Sequence, residues 1–199
     1  MRTLLLDIDD TLLNTKKLIS IINKQVLAII KLSEPELQAL LNQYFNQLNT
    51  NFTDPEDYCN YLTKKLNFSA EKKQQLLDVF FKKTKKYQQS LFDDTKVIPY
   101  LAQQHRLGIF SQGGKKWQNV KWQNSGLEKF FQPNLIFISE NKTQLESITQ
   151  LPAKAVIIDN DLQVVDQLLE QQLQVIWLNR LTTDKHQQCQ TIFSLNELK

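Results

Sequence analysis

Short apolar runs that alternate with helical patterns fill the second half of the chain, and this alternation constrains the fold more than any other feature. The runs are too short for helices and end abruptly in polar residues, which is typical of buried strands. They lie at 107–110, 135–138, 155–158 and 175–178, with helices predicted between them at 115–125, 143–149 and 162–172. Strands that alternate with helices form a parallel sheet with helices on both faces. The sequence therefore predicts an α/β fold built on such a sheet.

A fifth apolar run, Thr3–Leu6, leads directly into an acidic segment. Alternate side chains of an extended chain point to the same side, so Asp7, Asp9 and Thr11 would share one side at the end of this strand. Two carboxylates that lie so near each other repel, and each raises the pKa of the other unless a cation or a proton offsets the repulsion. The pattern is typical of a metal-bound nucleophile beside an acid/base partner. Aspartates also favour turns and helix N-caps, so this segment alone leaves a purely structural role open.

Residues 16–91 carry helical patterns and no strand pattern. The spacing of apolar residues predicts helices at 18–32, 36–48, 55–66 and 70–91. Candidate N-caps and first-turn prolines precede or open the last three of these helices: Ser33 with Pro35, Asp54 with Pro55, and Ser69. We therefore predict two domains, an α/β core formed by 1–15 and 92–199 and an all-helical insert at 16–91.

With 41% hydrophobic and 23% charged residues, the 199-residue chain has the composition of a soluble globular protein with a substantial core. Its net charge of +3 is too small to indicate a nucleic-acid partner, and no apolar stretch is long enough to span a bilayer. Asp7 interrupts the first apolar run, so no signal peptide is predicted. Cys59 and Cys189 are far apart and lack metal-ligand spacing. We expect a cytoplasmic protein, as a monomer or a homodimer, with no membrane or nucleic-acid partner.

Polar residues with chemical potential follow the predicted strands at the points where the strands end. In a parallel α/β sheet, ligands bind beyond these carboxyl ends, so the side chains there are expected to lie close together. They are Asp7 and Asp9 after the first strand, Ser111, Gln112, Gly113 and Gly114 after the second, Ser139, Glu140, Asn141 and Lys142 after the third, and Asp159, Asn160 and Asp161 after the fourth. Carboxylates, a hydroxyl group with glycines, and a lysine would thus gather at one edge of the sheet.

This ordered series resembles the haloacid dehalogenase-like (HAD) hydrolase superfamily. The resemblance rests on the Asp-x-Asp-x-Thr motif at Asp7, Asp9 and Thr11, on Ser111 at a strand end, on Lys142, and on an acidic motif at Asp159. It covers nearly the whole chain, and the series of four motifs is specific where any one alone would be weak. It implies a Rossmann-like core, and the helical insert resembles the C1-type cap of that superfamily's phosphatase branch.

The resemblance also implies a role for each motif residue. Asp7 would attack a phosphoryl group and form an aspartyl-phosphate, and Asp9 would protonate the leaving oxygen and then activate the hydrolytic water. Lys142 would neutralise charge on the nucleophile and the phosphate. Phosphoryl oxygens would be held by Ser111 and a neighbouring backbone N–H group, with Gln112 and Thr11 beside them and Thr11 chiefly orienting the loop. Asp7, the backbone carbonyl of Asp9, and Asp159 would form an oxygen-only shell, which favours Mg²⁺.

Three of these assignments have alternatives in the sequence. Ser111 could instead cap the following helix, and Lys154 competes with Lys142 for the role of the lysine. The acidic motif departs from the Gly-Asp or Asp-Asp that the family usually shows, because the chain has Asp159, Asn160 and Asp161 there, with Asp166 further on. We favour Asp159 as the direct metal ligand with Asp161 in support, and the other alignment puts Asn160 in that place. Asp10 stands where many relatives have glycine.

Asp9 separates the activities within the superfamily. Dehalogenases release halide and need no acid at this position, whereas phosphatases protonate an alkoxide leaving group. We therefore predict a Mg²⁺-dependent phosphatase that acts on a small phosphomonoester. A phosphomutase of the same superfamily is the nearest alternative enzyme, and a non-catalytic HAD-like binding module is the alternative outside enzymes.

Six lysines lie in the last predicted helix of the insert: Lys72, Lys73, Lys82, Lys83, Lys85 and Lys86. They could form a basic lid that steers phosphorylated substrates, but charge runs of this kind are more often a solvated helix face. We favour the solvated face.

Overall fold

A six-stranded parallel sheet forms the centre of the fold. The computed structural model describes residues 1–48 and 54–199. The strands are β1 (Thr3–Leu6), β2 (Arg106–Gln112), β3 (Ile136–Ser139), β4 (Val156–Asp159), β5 (Gln174–Leu178) and β6 (Gln190–Ile192). Their order is β3-β2-β1-β4-β5-β6, and every neighbouring pair is parallel. The predicted α/β fold with a parallel, Rossmann-like sheet is confirmed.

The helices of the described residues are α1 (Thr15–Ile30), α2 (Glu34–Leu48), α3 (Pro55–Lys65), α4 (Ala70–Phe81), α5 (Lys86–Gln89), α6 (Ile98–Gln104), α7 (Lys115–Gln123), α8 (Leu145–Ile148) and α9 (Leu162–Glu170). Short 3₁₀ turns occupy Asp93–Val97, Glu128–Phe130, Pro133–Leu135 and Leu195–Leu198. Among the helices of the described ranges, none is long and apolar enough to cross a membrane.

The strands are apolar on both faces because each face of the sheet packs into a core. Leu4 and Leu6 belong to one cluster of buried side chains, and Leu5 belongs to the other. This division follows from the alternation of side chains along an extended chain. Gly108 of β2 lets the backbone approach the next segment closely, because a Cβ atom there would collide with the carbonyl oxygen of Leu135.

The chain divides into two compact units, one formed by Met1–Thr15 with Tyr87–Lys199 and one formed by Lys16–Lys86. The described part of Lys16–Lys86 is helical. Its helices begin where the sequence predicts caps, since the side chain of Asp54 accepts hydrogen bonds from the first turn of α3 and that of Ser69 accepts one from Lys72 in α4. Aromatic rings fill its interior, with the ring centroids of Tyr44 and Tyr58 at 5.4 Å.

One predicted helix is wrong. The helix predicted at 70–91 ends at Phe81, because Lys82 turns to an extended backbone, and α5 begins only at Lys86. The solvated face predicted for the lysines also fails at Lys86, which is buried and donates a hydrogen bond from Nζ to the carbonyl of Val79. Smaller differences affect other boundaries: the helices predicted at 18–32, 36–48, 143–149 and 162–172 lie at Thr15–Ile30, Glu34–Leu48, Leu145–Ile148 and Leu162–Glu170.

The chain segment after β1 pairs with the segment that precedes the 3₁₀ turn at Asp93–Val97. Leu13 and Leu91 form an antiparallel bridge. The N–H of Asn14 donates to the carbonyl of Ser90 at 2.8 Å, and the N–H of Phe92 donates to that of Leu12 at 3.1 Å. This pairing fixes the end of the acidic loop that follows β1.

Candidate active site

The four polar segments meet because the strands that carry them are neighbours. β1 lies between β2 and β4, and β3 lies on the other side of β2. Leu6 pairs in register with both Ile109 and Ile158. The N–H of Asp7 continues this ladder by donating to the carbonyl of Ile158 at 3.0 Å. The topology therefore gathers the motif residues at one carboxyl edge, as the sequence predicts.

Lys142 joins two carboxylates of this edge. Its Nζ donates to Oδ1 of Asp7 at 3.1 Å and forms an ion pair with Oδ2 of Asp159. All three residues are buried, with Asp159 completely inaccessible. Lys154, the competing lysine, is exposed. The structure thus places Lys142, and not Lys154, beside the predicted nucleophile.

Burial dominates the electrostatics of this group. It raises the pKa of Asp7 to about 6, with the charges of Asp159 and Asp9 adding to the rise and that of Lys142 opposing it. Burial alone would lower the pKa of Lys142, but the carboxylates of Asp7 and Asp159 raise it above its ordinary value. The two carboxylates therefore favour the charged form of Lys142, and a further cation would favour the charged form of Asp7.

Asp9 is held by three side chains. Its Oδ1 accepts a hydrogen bond from Oγ1 of Thr15 at 3.1 Å, and its Oδ2 accepts one from Nε2 of Gln118 at 2.9 Å and pairs with Nζ of Lys121. Burial works to raise the pKa of Asp9, but Lys121 and these hydrogen bonds hold it below its ordinary value. The side chain remains 29% exposed, so it reaches solvent.

Gln118 and Lys121 are site residues that sequence reasoning missed. They lie one turn apart on α7, which follows the Ser111 segment. Their spacing could have placed them on one helix face. A glutamine and a lysine in a helix are usually solvated, however, so nothing in the sequence marks them as buried.

Ser111 lies within β2 with its hydroxyl buried, and no described residue forms a hydrogen bond of normal geometry with that hydroxyl. The alternative that Ser111 caps α7 is wrong, because Gly114 is the N-cap residue. Gln112 is exposed, and its Oε1 accepts a hydrogen bond from the backbone N–H of Lys142 at 3.3 Å. Both residues lie at the carboxyl end of β2, and their contact with a phosphoryl group stays a prediction.

Thr11 is directed at the acidic loop after β4. Its hydroxyl donates to Oδ1 of Asn160 at 3.1 Å. Its carbonyl accepts a hydrogen bond from Nη2 of Arg180 at 2.8 Å. These contacts match the loop-orienting role expected for Thr11, and they leave its predicted contact with phosphate a prediction.

The acidic residues and the asparagine that follow β4 have different contacts. Asp159 points to Lys142, whereas Asn160 is bound to Thr11. Asp161 caps α9, since its Oδ1 accepts from the N–H of Gln163 at 2.9 Å. Asp166 lies elsewhere and contacts Nε2 of His186 at 2.9 Å. The arrangement supports Asp159 as the carboxylate that shares the site with Asp7.

The donor set at this edge fits a hard divalent cation. Asp7 and Asp159 supply carboxylate oxygens on either side of Lys142 Nζ, and oxygen ligands are what Mg²⁺ prefers. In residues 1–48 and 54–199, no group of three or more His, Cys, Asp or Glu side chains is arranged to hold a metal ion. Mg²⁺ usually keeps several waters and takes only one or two carboxylates, so Asp7 and Asp159 could hold it.

A family model described as haloacid dehalogenase-like hydrolase matches residues 4–152. The chain belongs to this family. The match includes Asp7, Asp9, Ser111 and Lys142 but ends before Asp159. No curated protein sequence matches the chain significantly.

Solved structures similar to this HAD-like hydrolase show the same fold. One is the proposed HAD hydrolase YfnB from Bacillus subtilis, which was bound to magnesium, with 20% identity, a TM-score of 0.67, and 99% of this chain and 96% of that chain covered. A 2-haloacid dehalogenase from Pseudomonas syringae is 15% identical, with a TM-score of 0.65 and coverage of 100% and 96%. A proposed β-phosphoglucomutase from Thermotoga maritima is 11% identical, with a TM-score of 0.61 and coverage of 100% and 98%.

Proposed function

We propose that this HAD-family hydrolase is a Mg²⁺-dependent phosphatase that hydrolyses a small phosphomonoester through an aspartyl-phosphate. The observation that carries the proposal is Asp9. It is a partly exposed carboxylate two residues after the buried Asp7, and the side chains that hold it differ from those that contact Asp7. A group that can give and take a proton beside a nucleophile is what transfer of a phosphoryl group from an alkoxide requires.

The chemistry divides into two steps. First, with Asp9 in its protonated form, a carboxylate oxygen of Asp7 forms a bond to phosphorus while the ester oxygen leaves and takes the proton from Asp9. Then Asp9 accepts a proton from water as the water oxygen bonds to phosphorus, which frees inorganic phosphate and restores Asp7. Lys142 offsets negative charge on Asp7 throughout, and the buried hydroxyl of Ser111 would donate to a phosphoryl oxygen.

Magnesium would be held by Asp7, Asp159 and the carbonyl of Asp9. When bound, it supplies electrostatic stabilisation of the phosphoryl oxygens. The pKa of Asp7, raised to about 6 by burial and neighbouring carboxylates, supports a role for a second cation beside Lys142.

We assign to residues 16–91 the role of a cap domain of the C1 type, which selects the substrate, with 1–15 and 92–199 as the catalytic core. The core supplies the nucleophile, the acid/base and the metal ligands. Sugar phosphates, nucleoside monophosphates and phosphoglycolate all meet the chemical requirement of a phosphomonoester.

The test is release of phosphate from p-nitrophenyl phosphate and from a panel of metabolite phosphates, with Mg²⁺ and with EDTA. Asp7→Asn is the inactive variant, and Asp93→Asn, which alters an exposed carboxylate of the core, is its matched control. We expect hydrolysis that needs Mg²⁺ and Asp7 and is unchanged in the control.

A parallel assay for chloride released from 2-chloropropionate tests the dehalogenase activity named for the Pseudomonas relative. Chloride release without phosphate release would overturn the proposal. Conversion of a sugar phosphate to its isomer, with no free phosphate, would replace the phosphatase with a phosphomutase. Absence of any turnover together with absence of Mg²⁺ binding in calorimetry would favour a non-catalytic binding module.

A further inference from the structure

We propose that Gln118 and Lys121 position the acid/base Asp9, holding Oδ2 of its carboxylate so that Oδ1 is the oxygen that exchanges the proton with substrate and water. This inference rests on the proposed phosphatase function, because it refines the task of Asp9 within that reaction. Neither residue belongs to the four motifs by which the site is recognised in the sequence.

The hydrogen bonds at Asp9 distinguish its two oxygens. Oδ2 accepts a hydrogen bond from Nε2 of Gln118 at 2.9 Å and forms an ion pair with Nζ of Lys121. Within the described residues, Oδ1 accepts a hydrogen bond only from the hydroxyl of Thr15, at 3.1 Å. Each carboxylate oxygen accepts about two hydrogen bonds. Oδ2 is therefore filled, and Oδ1 keeps capacity for a proton or a hydrogen bond to a substrate.

The burial pattern shows that these contacts are built into the core. Gln118 is fully buried and Lys121 is 4% exposed, whereas the side chain of Asp9 is 29% exposed. A buried ammonium group is costly unless it is paired, so the Lys121 contact with Asp9 compensates that cost. The ammonium group also lies 5.4 Å from the centroid of the Trp117 ring. The donors are thus fixed, while the acceptor reaches solvent.

Gln118 and Lys121 differ in a way that lets their roles be separated. Nε2 of Gln118 also donates to the carbonyl of Gln112 at 2.6 Å, so it connects Asp9 to the end of β2, next to Ser111. Lys121 pairs with Asp9 and, within the described part of the chain, forms no hydrogen bond with that segment. Both side chains project from α7, and a helix fixes such groups more precisely than a loop.

The experiment compares kcat/KM for phenyl phosphate and p-nitrophenyl phosphate. Phenolate is the poorer leaving group, so its departure depends more on the proton from Asp9. For Lys121→Met we expect a loss of about 10-fold or more with phenyl phosphate and of less than about 3-fold with p-nitrophenyl phosphate. We expect Lys121→Arg to restore most of the phenyl phosphate activity and Gln118→Met to lose activity on both substrates.

The matched controls are Lys129→Met and Gln123→Met, which change exposed residues of the same types nearby. They should leave both kcat/KM values unchanged. An Asp9→Asn background completes a double-mutant cycle, in which Lys121→Met should cause no further loss because Lys121 acts through Asp9. Equal losses on the two substrates in Lys121→Met, or an undiminished loss when Lys121→Met is made in the Asp9→Asn background, would overturn the positioning role of Lys121.

Crystal structures of the wild type and of Lys121→Met provide a readout that does not depend on turnover. The proposal predicts a single orientation of the Asp9 carboxylate in the wild type and a rotated or multiple orientation in the variant. An unchanged Asp9 in the variant would overturn the inference even in an active phosphatase. A reoriented Asp9 in a protein that hydrolyses no phosphate ester would support the positioning and count against the proposed function alone.

Discussion

Lys142 shows how one residue defines this site. Its ammonium group binds both Asp7 and Asp159, so three charges share a buried space. Removing the partner of a buried charge is expensive, and the three residues therefore depend on one another. Because negative charge exceeds positive charge around Asp7, a second cation would be stabilised there. The question is then which carboxylates would bind that cation.

The contacts of the acidic loop predict different results for three neighbouring substitutions. Asp159→Asn should weaken Mg²⁺ binding by at least about 10-fold, because it replaces the carboxylate that shares the site with Asp7. Asp161→Asn should leave Mg²⁺ binding unchanged, since this side chain caps α9 and asparagine is an equally good N-cap. Asn160→Ala should also keep most of the affinity, because Asn160 is bound to Thr11.

Calorimetric titration of Mg²⁺ measures all three, with thermal unfolding as a check that each variant is folded. If Asp161→Asn or Asn160→Ala abolished binding while Asp159→Asn preserved it, the assignment of Asp159 would be wrong.

At the scale of elements, the acidic loop after β1 is fastened to distant parts of the core by Arg180. This residue follows β5 and donates to the carbonyl of Thr11 at 2.8 Å and to both oxygens of Asp94 at 2.9 Å. Its guanidinium carbon lies 4.0 Å from the centroid of the Phe92 ring. Asp94 in turn accepts from the N–H of Leu195 at 2.8 Å. One ion pair thus connects the loop, the 3₁₀ turn at Asp93–Val97 and the C-terminal turn.

This ion pair makes stability depend on pH in a defined direction. Burial works to raise the pKa of Asp94, but the hydrogen bonds from Arg180 and Leu195 hold it below its ordinary value. A carboxyl with a lowered pKa stabilises the fold above the pKa of the unfolded chain, about 4, and loses that contribution as the pH falls through its folded value. Asp94→Asn should therefore reduce the free energy of unfolding by about 3 kcal/mol at neutral pH.

The deficit of Asp94→Asn should shrink as the pH falls below about 4, because the wild-type carboxyl then loses its charge as well. Denaturant unfolding at several pH values measures it. The matched control, Asp93→Asn, changes an exposed neighbour and should show no such pH-dependent difference. A deficit that stayed constant from neutral to acidic pH would contradict the account.

Across the whole molecule, the sheet and its carboxyl edge could be predicted because they depend on patterns that are local in sequence. Apolar runs mark the strands, and the residues that follow them, such as Ser111 and Lys142, must then lie at one edge. The fold was therefore accessible from the sequence alone. The break after Phe81 was not, because the lysines that follow it are good helix formers and nothing local marks the end of the helix.

The side-chain contacts that hold the site residues could not be predicted from the sequence, for a different reason. Gln118 and Lys121 meet Asp9 across more than a hundred residues of sequence, and Arg180 reaches Thr11 across an even longer separation. Side chains of these types are ordinarily exposed, so their burial is decided by the packing of the complete fold. The sequence could indicate candidate reactive residues, but not the side chains that hold them in place.

We propose that Asp7 accepts a phosphoryl group only when Mg²⁺ is bound. A phosphoryl analogue tests this proposal without knowledge of the substrate. Beryllium fluoride added to the protein would be followed by fluorine NMR, with Mg²⁺ or with EDTA, in the wild type, Asp7→Asn and Asp93→Asn. We expect resonances of bound fluoride that require both Mg²⁺ and Asp7 and that persist in Asp93→Asn. Bound resonances that survive in Asp7→Asn, or that never form in the folded wild type, would contradict it.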